Sequence, residues 1–348
     1  VQLFTHIYQL KLIPPTGSYK IIHQQIMARK SSYIINRRNT ELWKKDTIQS
    51  ISLYNDWFLN FAPATYTKER RRAMEQVGLA INQTNNFHFT TTHLKEHPEL
   101  ITILRMATTP PIARERLMGF SGVKPSFIKN MENGRLPQKL SEEEKEECLN
   151  RLANVLNKLL DVELFSWIQR GETPTLEELK IAECIVADRL CGTLSDPIIR
   201  NEQEKRQLKV ISDYLVSEGY TFVDSKDVAL FSDMEPGTFT YHLNVPVKMS
   251  RLGVNMPIDV VIKRMGCNEG SLPLLVECKS AGDFTNTNKR RKEEAQKIEQ
   301  LKNTYGNNID FVLFLCGYFD SGYLGYEAAE GIDWIWEHRV TDFKKAGV

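Results

Sequence analysis

No stretch of this sequence approaches the roughly 18 uninterrupted apolar residues that a membrane helix needs. No segment joins a basic start to a short apolar run and a small-residue cleavage site, the pattern of an export signal. Cysteine is scarce: Cys148, Cys184, Cys191, Cys267, Cys278 and Cys316 are spread over 348 residues, and no two are spaced C-x-x-C. That spacing argues against a disulfide scaffold and a structural zinc site, and the thiols read as reduced, in a cytoplasmic protein. The phosphate-binding, dinucleotide-binding and serine-nucleophile glycine motifs are all missing, so nucleotide hydrolysis and serine-hydrolase chemistry have no foothold. The histidines are scattered, and His88, His93 and His97 sit in a polar segment that ends at Pro98. An excess of one charge is lacking too. With 45 basic against 44 acidic side chains the chain is not a uniformly basic nucleic-acid binder, and any such role must rest on local patches.

The length predicts two domains, each able to bury its own core. Residues 1–40 contain no Asp or Glu, open on Val1 and carry a turn at Pro14-Pro15-Thr16-Gly17. Met27 resembles a start, so residues 1–26 are expected outside the core, and 1–40 read as a flexible basic arm or upstream extension. Residues 41–195 read as an all-helical domain. Trp43, Ile48, Ile51, Tyr54 and Phe58 keep a three-to-four residue spacing that should stop at Ala62-Pro63. Ser141 with Glu144 forms a capping box ahead of an apolar face of Cys148, Leu152, Val155 and Leu159. A further helix starts at Thr175 and places Ile181, Ile185 and Val186 inside.

From Asp196 the grammar changes. Asp196-Pro197 should open a helix that runs to Ser217, with Gly219 as its stop. Strands are predicted over Thr238–Leu243, Pro257–Lys263, Leu272–Lys279, Phe311–Leu315 and Ile332–Trp336, with a charged helix over Asn288–Tyr305 between the third and fourth. Residues 196–348 therefore read as an α/β domain, a mixed sheet flanked by helices.

Chemistry concentrates in that domain. Asp259 sits in one predicted strand, and Glu277 and Lys279 end the next, after an apolar run from Leu274. Neighbouring strands would bring the two carboxylates together at one end of the sheet, a hard oxygen site suited to Mg²⁺. Such an ion activates water and neutralises charge on a phosphoryl oxygen. Lys279, two residues after Glu277, shares its strand face and can orient the water or stabilise the transition state. Glu-x-Lys also occurs at Glu143/Lys145 and Glu178/Lys180, both in helical sequence, so only the strand context makes the third copy informative. In the helix after Pro197 the stripe Leu208, Ile211, Leu215 extends back to Glu204, a possible further metal carboxylate. Asn288, Lys289, Arg290 and Arg291 open the charged helix with basic side chains that oppose its dipole, which points to a bound phosphate.

These residues resemble the PD-(D/E)XK nuclease signature. More closely, the chain is similar to the XamI family of type II restriction endonucleases. The likeness is carried by LYNDWFLNFAP (Leu53–Pro63), ILRMATTPPIARERLMGFSGV (Ile103–Val123), RNEQEKRQL (Arg200–Leu208), LLVECKSAGDFTNTNKRRKEEAQK (Leu274–Lys297) and GIDWIWEHR (Gly331–Arg339). Ile258 separates Pro257 from Asp259, so the literal Pro-Asp dipeptide is absent, a departure that leaves the carboxylate in place. The resemblance implies a restriction-endonuclease-like fold and Mg²⁺ held by Asp259, Glu277 and the Cys278 carbonyl. It implies water assisted by Lys279, double-stranded DNA cut at a GTCGAC-type palindrome with 5′-phosphate ends, a homodimer, and a cognate methyltransferase as genetic partner.

The stretch from Ala113 to Arg135 is similar to a helix-turn-helix unit. Its second helix, starting near Lys124–Ser126, would enter the major groove, and Arg135 would reach a phosphate. Lys68–Arg72 is a second basic cluster, either a backbone clamp or a charged helix face. An alternative for the whole chain is a helix-turn-helix regulator with a degenerate nuclease-like domain, which would bind specific DNA without cutting it.

Overall fold

The computed structural model describes residues 33–348 apart from positions 250, 251, 269 and 286; residues 1–32, and with them the expected arm over 1–26, lie outside the described residues. In the first half the helices are α1 (Thr40–Gln83), α2 (Thr91–Glu96), α3 (Leu100–Met106), α4 (Arg114–Ser121), α5 (Pro125–Glu132), α6 (Glu142–Leu159) and α7 (Ser166–Arg170). Then come α8 (Leu176–Ser217), β1 (Thr221–Phe222), β2 (Thr238–Met249), β3 (Leu252–Lys263), β4 (Leu274–Ala281), α9 (Thr287–Tyr305), β5 (Asp310–Gly317), α10 (Ser321–Ala329) and β6 (Asp333–Trp336).

Two helices are longer than their sequence indicates. The expected stop at Pro63 and the expected start at Asp196-Pro197 are both corrected: α1 and α8 run through their prolines. An internal proline removes one donor and crowds the carbonyl four residues back. Pro63 and Pro197 are exposed, and so are Leu59 and Thr193, which carry those carbonyls, so the freed acceptors stay within reach of solvent. Packing of α1 against α8 then offsets the roughly 3 kcal/mol that an interior proline costs. Both helices span the molecule. Their distal halves join a helical core with Leu104, Leu117, Leu152 and Phe165, while the start of α1 and the end of α8 pack on the sheet.

Within the helical core the caps form as their residues dictate. Ser141 with Glu144, and Thr175 with Glu178, each exchange reciprocal hydrogen bonds. The apolar faces are rotated from expectation. Leu149, Leu152 and Leu156 form the centre of α6, with Cys148, Val155 and Leu159 on its flank. In α8, Ala182, Val186 and Leu190 face inward while Ile181 and Ile185 are exposed, and in α1 Ile48 and Phe58 are exposed as well. Small residues at the contact let helices approach closely, and hydrophobicity alone does not register that preference.

The six strands form one mixed sheet in the order β1-β2-β3-β4-β5-β6. Pairs β2·β3 and β3·β4 are antiparallel; β1·β2, β4·β5 and β5·β6 are parallel. In β4 the alternation is clean: Leu275 and Ala281 pack with Ile298 and Leu301 of α9, whereas Leu274 and Val276 pack with Ile211 and Leu215 of α8. Glu277 and Lys279 therefore belong to the α9 side.

Ahead of α1, residues 33–39 dock on the edge strand β6. The Asp333 carboxylate accepts the backbone N–H groups of Ile35, Asn36 and Arg37 at 2.8, 2.8 and 3.1 Å, and Asn36 donates its side-chain amide to the Trp334 carbonyl. Asp333→Ala leaves these donors without an acceptor and is expected to cost about 2–4 kcal/mol in urea unfolding. A loss below about 0.5 kcal/mol would mean that the segment contributes nothing to the folded body.

Candidate active site

The site arises where two strands part. β3 and β4 pair at Ile262–Leu274, Val261–Leu275 and Val260–Val276 and no further. The next facing positions are Asp259 and Glu277. From there β3 continues with β2 and β4 with β5, and in the fork Asp259 Oδ2 accepts the Cys278 N–H at 2.8 Å in place of a ladder bond. Glu277 is buried at 4% exposure. Its Oε1 accepts from Lys279 Nζ at 2.9 Å and from Lys297 Nζ of α9, whereas its Oε2 is buried without a hydrogen-bond partner among the described residues.

Electrostatics follow from that crowding. Burial, and then the neighbouring Glu277 carboxylate, push the Asp259 carboxyl up to about 6. Burial works against the Lys279 ammonium, but Glu277 and Glu294 outweigh it and hold its pKa above the ordinary lysine value. Burial together with Asp259 and Glu277 drives the Cys278 thiol far up, so it is not a nucleophile. Lys279 is thus a cationic donor rather than a base.

Above the fork lies a cleft of about 360 Å³ lined by Arg200, Glu204, Asp259, Glu277 and Lys279 among others. Glu204 was expected to face an apolar interface; it stands instead half exposed at this cleft, 3.6 Å from His242 Nε2. Glu204, His242 and Asp259 each offer a ligand atom within 4.8 Å of the others. His242 is invisible in sequence, because Phe239, Tyr241, Leu243, Val245 and Val247 alternate as one uninterrupted face. The structure breaks that face: Phe239 and Tyr241 pack toward α8, and the three later residues pack with the α9 side. The switch falls at His242, whose φ is +52°, and its cross-strand opposite Asp259 is likewise skipped by the ladder. Such a paired irregularity re-aims side chains, and here it turns His242 toward the carboxylates.

Three other residues escaped sequence reasoning. Gln207 of α8 is buried and donates to the carbonyls of Lys279 and Phe314, fixing α8 on the two site strands. Lys297 and Glu294 of α9 lie one turn ahead of Leu301 and Ile298 on the same buried stripe. Extending that stripe backward, the step that singled out Glu204, would have found both.

The remaining expected residues are dispersed. Helices α4 and α5, joined through Gly122 in the left-handed conformation, form a compact pair with Leu117, Phe127, Ile128 and Met131 inside and Lys124, Ser126 and Arg135 exposed. The side chains of Asn288, Lys289 and Arg290 lie outside the described residues; Arg291 lies over the Tyr326 ring at 4.5 Å. In the Lys68–Arg72 cluster, Arg70 pairs with Asp188 of α8 and Arg72 with Glu69. His338 is buried on Trp336 beside Asp46, a structural placement. His93 closes a capping box with Thr90.

A divalent cation suits this donor set. Two carboxylates already crowd each other, Glu277 Oε2 is an acceptor without a hydrogen-bond partner among the described residues, and Asp259 clusters with Glu204 and His242. Without the cation, Asp259 is a liability to the fold. Its folded pKa, near 6, lies above the ordinary 3.8, so the native state holds the proton more tightly. Stability is therefore unaffected below about pH 4, falls as pH rises through 6, and the deficit is complete above, on the order of 3 kcal/mol. Asp259→Asn keeps an acceptor for the Cys278 N–H and is expected to raise the melting temperature in EDTA at pH 8 but not at pH 4. An equal shift at both pH values would assign the gain to packing.

Comparisons with known proteins place the chain in a family. A profile of the XamI restriction endonuclease family matches residues 84–336. The chain is 47% identical over 315 residues to the type II restriction enzyme SalI of Streptomyces albus G, covering 90% of this chain and 100% of that protein. Among solved structures, protein VC1899 of Vibrio cholerae aligns with 74% of this chain and 55% of its own at 14% identity and a TM-score of 0.26, too loose a superposition to bear on the fold. A regulator with a degenerate nuclease-like domain is not favoured by the match to a restriction endonuclease family and to a type II restriction enzyme. The match over most of the chain, falling on the stretches that build the fork, leads to one conclusion: this chain belongs to the XamI restriction endonuclease family.

Proposed function

We propose that the protein is a cytoplasmic, Mg²⁺-dependent type II endodeoxyribonuclease that hydrolyses both strands of duplex DNA at a short palindrome and leaves 5′-phosphate ends. The observation that carries this reading is the convergence of Asp259, Glu277 and Lys279 in one cleft, with a buried Glu277 oxygen left unpartnered. Asp259, Glu277 and the Cys278 carbonyl would hold the cation, with Glu204 and His242 next to them. Once bound, the cation would lower the pKa of water and neutralise charge on the scissile phosphate. Lys279, held as an ammonium, donates to the attacking water or to a non-bridging phosphate oxygen, where negative charge grows as the 3′-oxygen leaves with inversion.

DNA is gripped by two surfaces in this reading. Asn288, Lys289, Arg290 and Arg291 at the start of α9 contact phosphate beside the cleft, since Glu293 of the same helix lines it. The exposed Lys124 and Ser126 of α5 read the major groove while Arg135 takes a phosphate. A palindrome is two-fold symmetric, so two copies of the chain related by the same axis present one cleft to each strand. Self-cleavage of the host genome is avoided by a methyltransferase that marks the same sequence.

The test is digestion of unmethylated DNA carrying GTCGAC sites with Mg²⁺, alongside EDTA, Glu277→Ala and Lys279→Ala controls. Discrete fragments are expected with wild type, and each substitution should lower the rate at least about a thousandfold. A smear would sink site specificity. Bound but intact DNA would favour the regulator. A Glu204→Ala variant with an unchanged rate and Mg²⁺ requirement would remove Glu204 from the site.

A further inference from the structure

We propose that Glu294 is a positioning residue for Lys279, a second carboxylate supplied by α9 that, together with Glu277, fixes the ammonium at the cleft. The inference rests on the nuclease reading and goes beyond it, since nothing in the Asp-Glu-Lys signature calls for this side chain.

Glu294 is completely buried, an expensive location for an anion unless a cation answers it. Its two oxygens have different surroundings. Oε2 accepts the Tyr323 hydroxyl at 2.7 Å. Oε1 lies 3.9 Å from Lys279 Nζ, and the Glu327 carboxyl hydrogen-bonds with the same side chain. Packing alone would be served as well by an apolar residue, because the same stripe continues with Ile298 and Leu301. Among the described residues, Lys279 is the cation paired with this buried carboxylate.

A second buried acid explains how the charge is kept there. Glu327 of α10, also fully buried, faces Glu294. Burial, and then the Glu294 charge, push the Glu327 carboxyl up to about 9, although Arg291 opposes the shift. Glu327 is therefore neutral at pH 7; burial raises the Glu294 carboxyl as well, but the Tyr323 hydroxyl, Lys279 and Glu327 oppose that shift and make Glu294 the member of the pair that carries the charge. The charges on the α9 side then balance: Lys279 and Lys297 against Glu277 and Glu294. Asp259 remains outside that balance, and its charge is left for the cation. Without Glu294, the ion pair left to the Lys279 ammonium among the described residues would be Glu277, which it already shares with Lys297, and its direction would be less defined.

The experiment compares Glu294→Gln, Glu327→Gln and Tyr323→Phe in the full chain on a GTCGAC duplex with Mg²⁺, reading kcat and KM separately. Glu294→Gln keeps size and an acceptor for Tyr323 but removes the charge. Its kcat should fall about ten- to a hundredfold, the effect of a catalytic group displaced by an ångström, with KM unchanged. Glu327→Gln mimics the protonated acid and should keep the wild-type kcat, while Tyr323→Phe should fall in the same direction as Glu294→Gln by a smaller factor. A readout independent of cleavage is the ¹⁵N ammonium resonance of Lys279 in EDTA, assigned with Lys279→Arg. It should be sharp in wild type and in Glu327→Gln, and broadened in Glu294→Gln. A wild-type kcat for Glu294→Gln, a change in KM alone, or an unaltered Lys279 resonance would overturn the inference. If Glu294→Gln does not fold, Tyr323→Phe decides on the same two readouts. Failure of the wild type to cut DNA would defeat the nuclease reading instead, and the resonance would still report whether Glu294 holds Lys279.

Discussion

Asp259 and Glu277 stand side by side in a low-dielectric fork, and like charges so placed are unstable unless something compensates them. Much of the catalytic half is organised by that constraint. The strands part at the position where the carboxylates face each other, and the backbone N–H of Cys278 serves Asp259 instead of the ladder. Two lysines from different elements converge on one oxygen of Glu277. The other oxygen is left open, and Asp259 retains a carboxyl that ionises reluctantly. A fold that maximised its own stability would not keep this arrangement.

The helices transmit this demand outward. Gln207 ties α8 to the carbonyls of both site strands, and on α1 Thr47 donates to the Phe319 carbonyl while Ser50 accepts the Gly317 N–H at the end of β5. Both helices then continue into the core that carries α4 and α5. The helix pair α4–α5 and the cleft are therefore both carried by elements packed on the same two long helices. The exposed prolines within these helices cost some helix stability, but continuous packing of α1 on α8 retains both helices intact.

Much of the catalytic core was legible in the sequence because its strands are buried on both faces and bounded by polar segments. The apolar runs ending at Lys279 and spanning Phe311–Leu315 appear as β4 and β5 within a residue or two at each end. Asp259, Glu277 and Lys279 were legible for the same reason: the first is a charge that interrupts an apolar run, and the other two end one. His242 was not, since its strand alternates without interruption and only a left-handed backbone angle turns it toward the site. Glu294 and Lys297 were hidden in a helix whose many charges resemble a solvated surface.

By itself, the sequence determined where charges interrupt or end apolar runs, the order of the elements, and the periodicity that separates a helical half from a sheet half. Those features depend on local spacing and on charge placed beside apolar runs. Tertiary structure alone decided which strands part, which oxygen of Glu277 stays open, and which charges of α9 turn inward. It also decided that α1 and α8 survive their prolines. Each of these depends on contacts between residues far apart in the chain, where the cost of an irregular backbone or a buried charge is offset by a partner that no local pattern names.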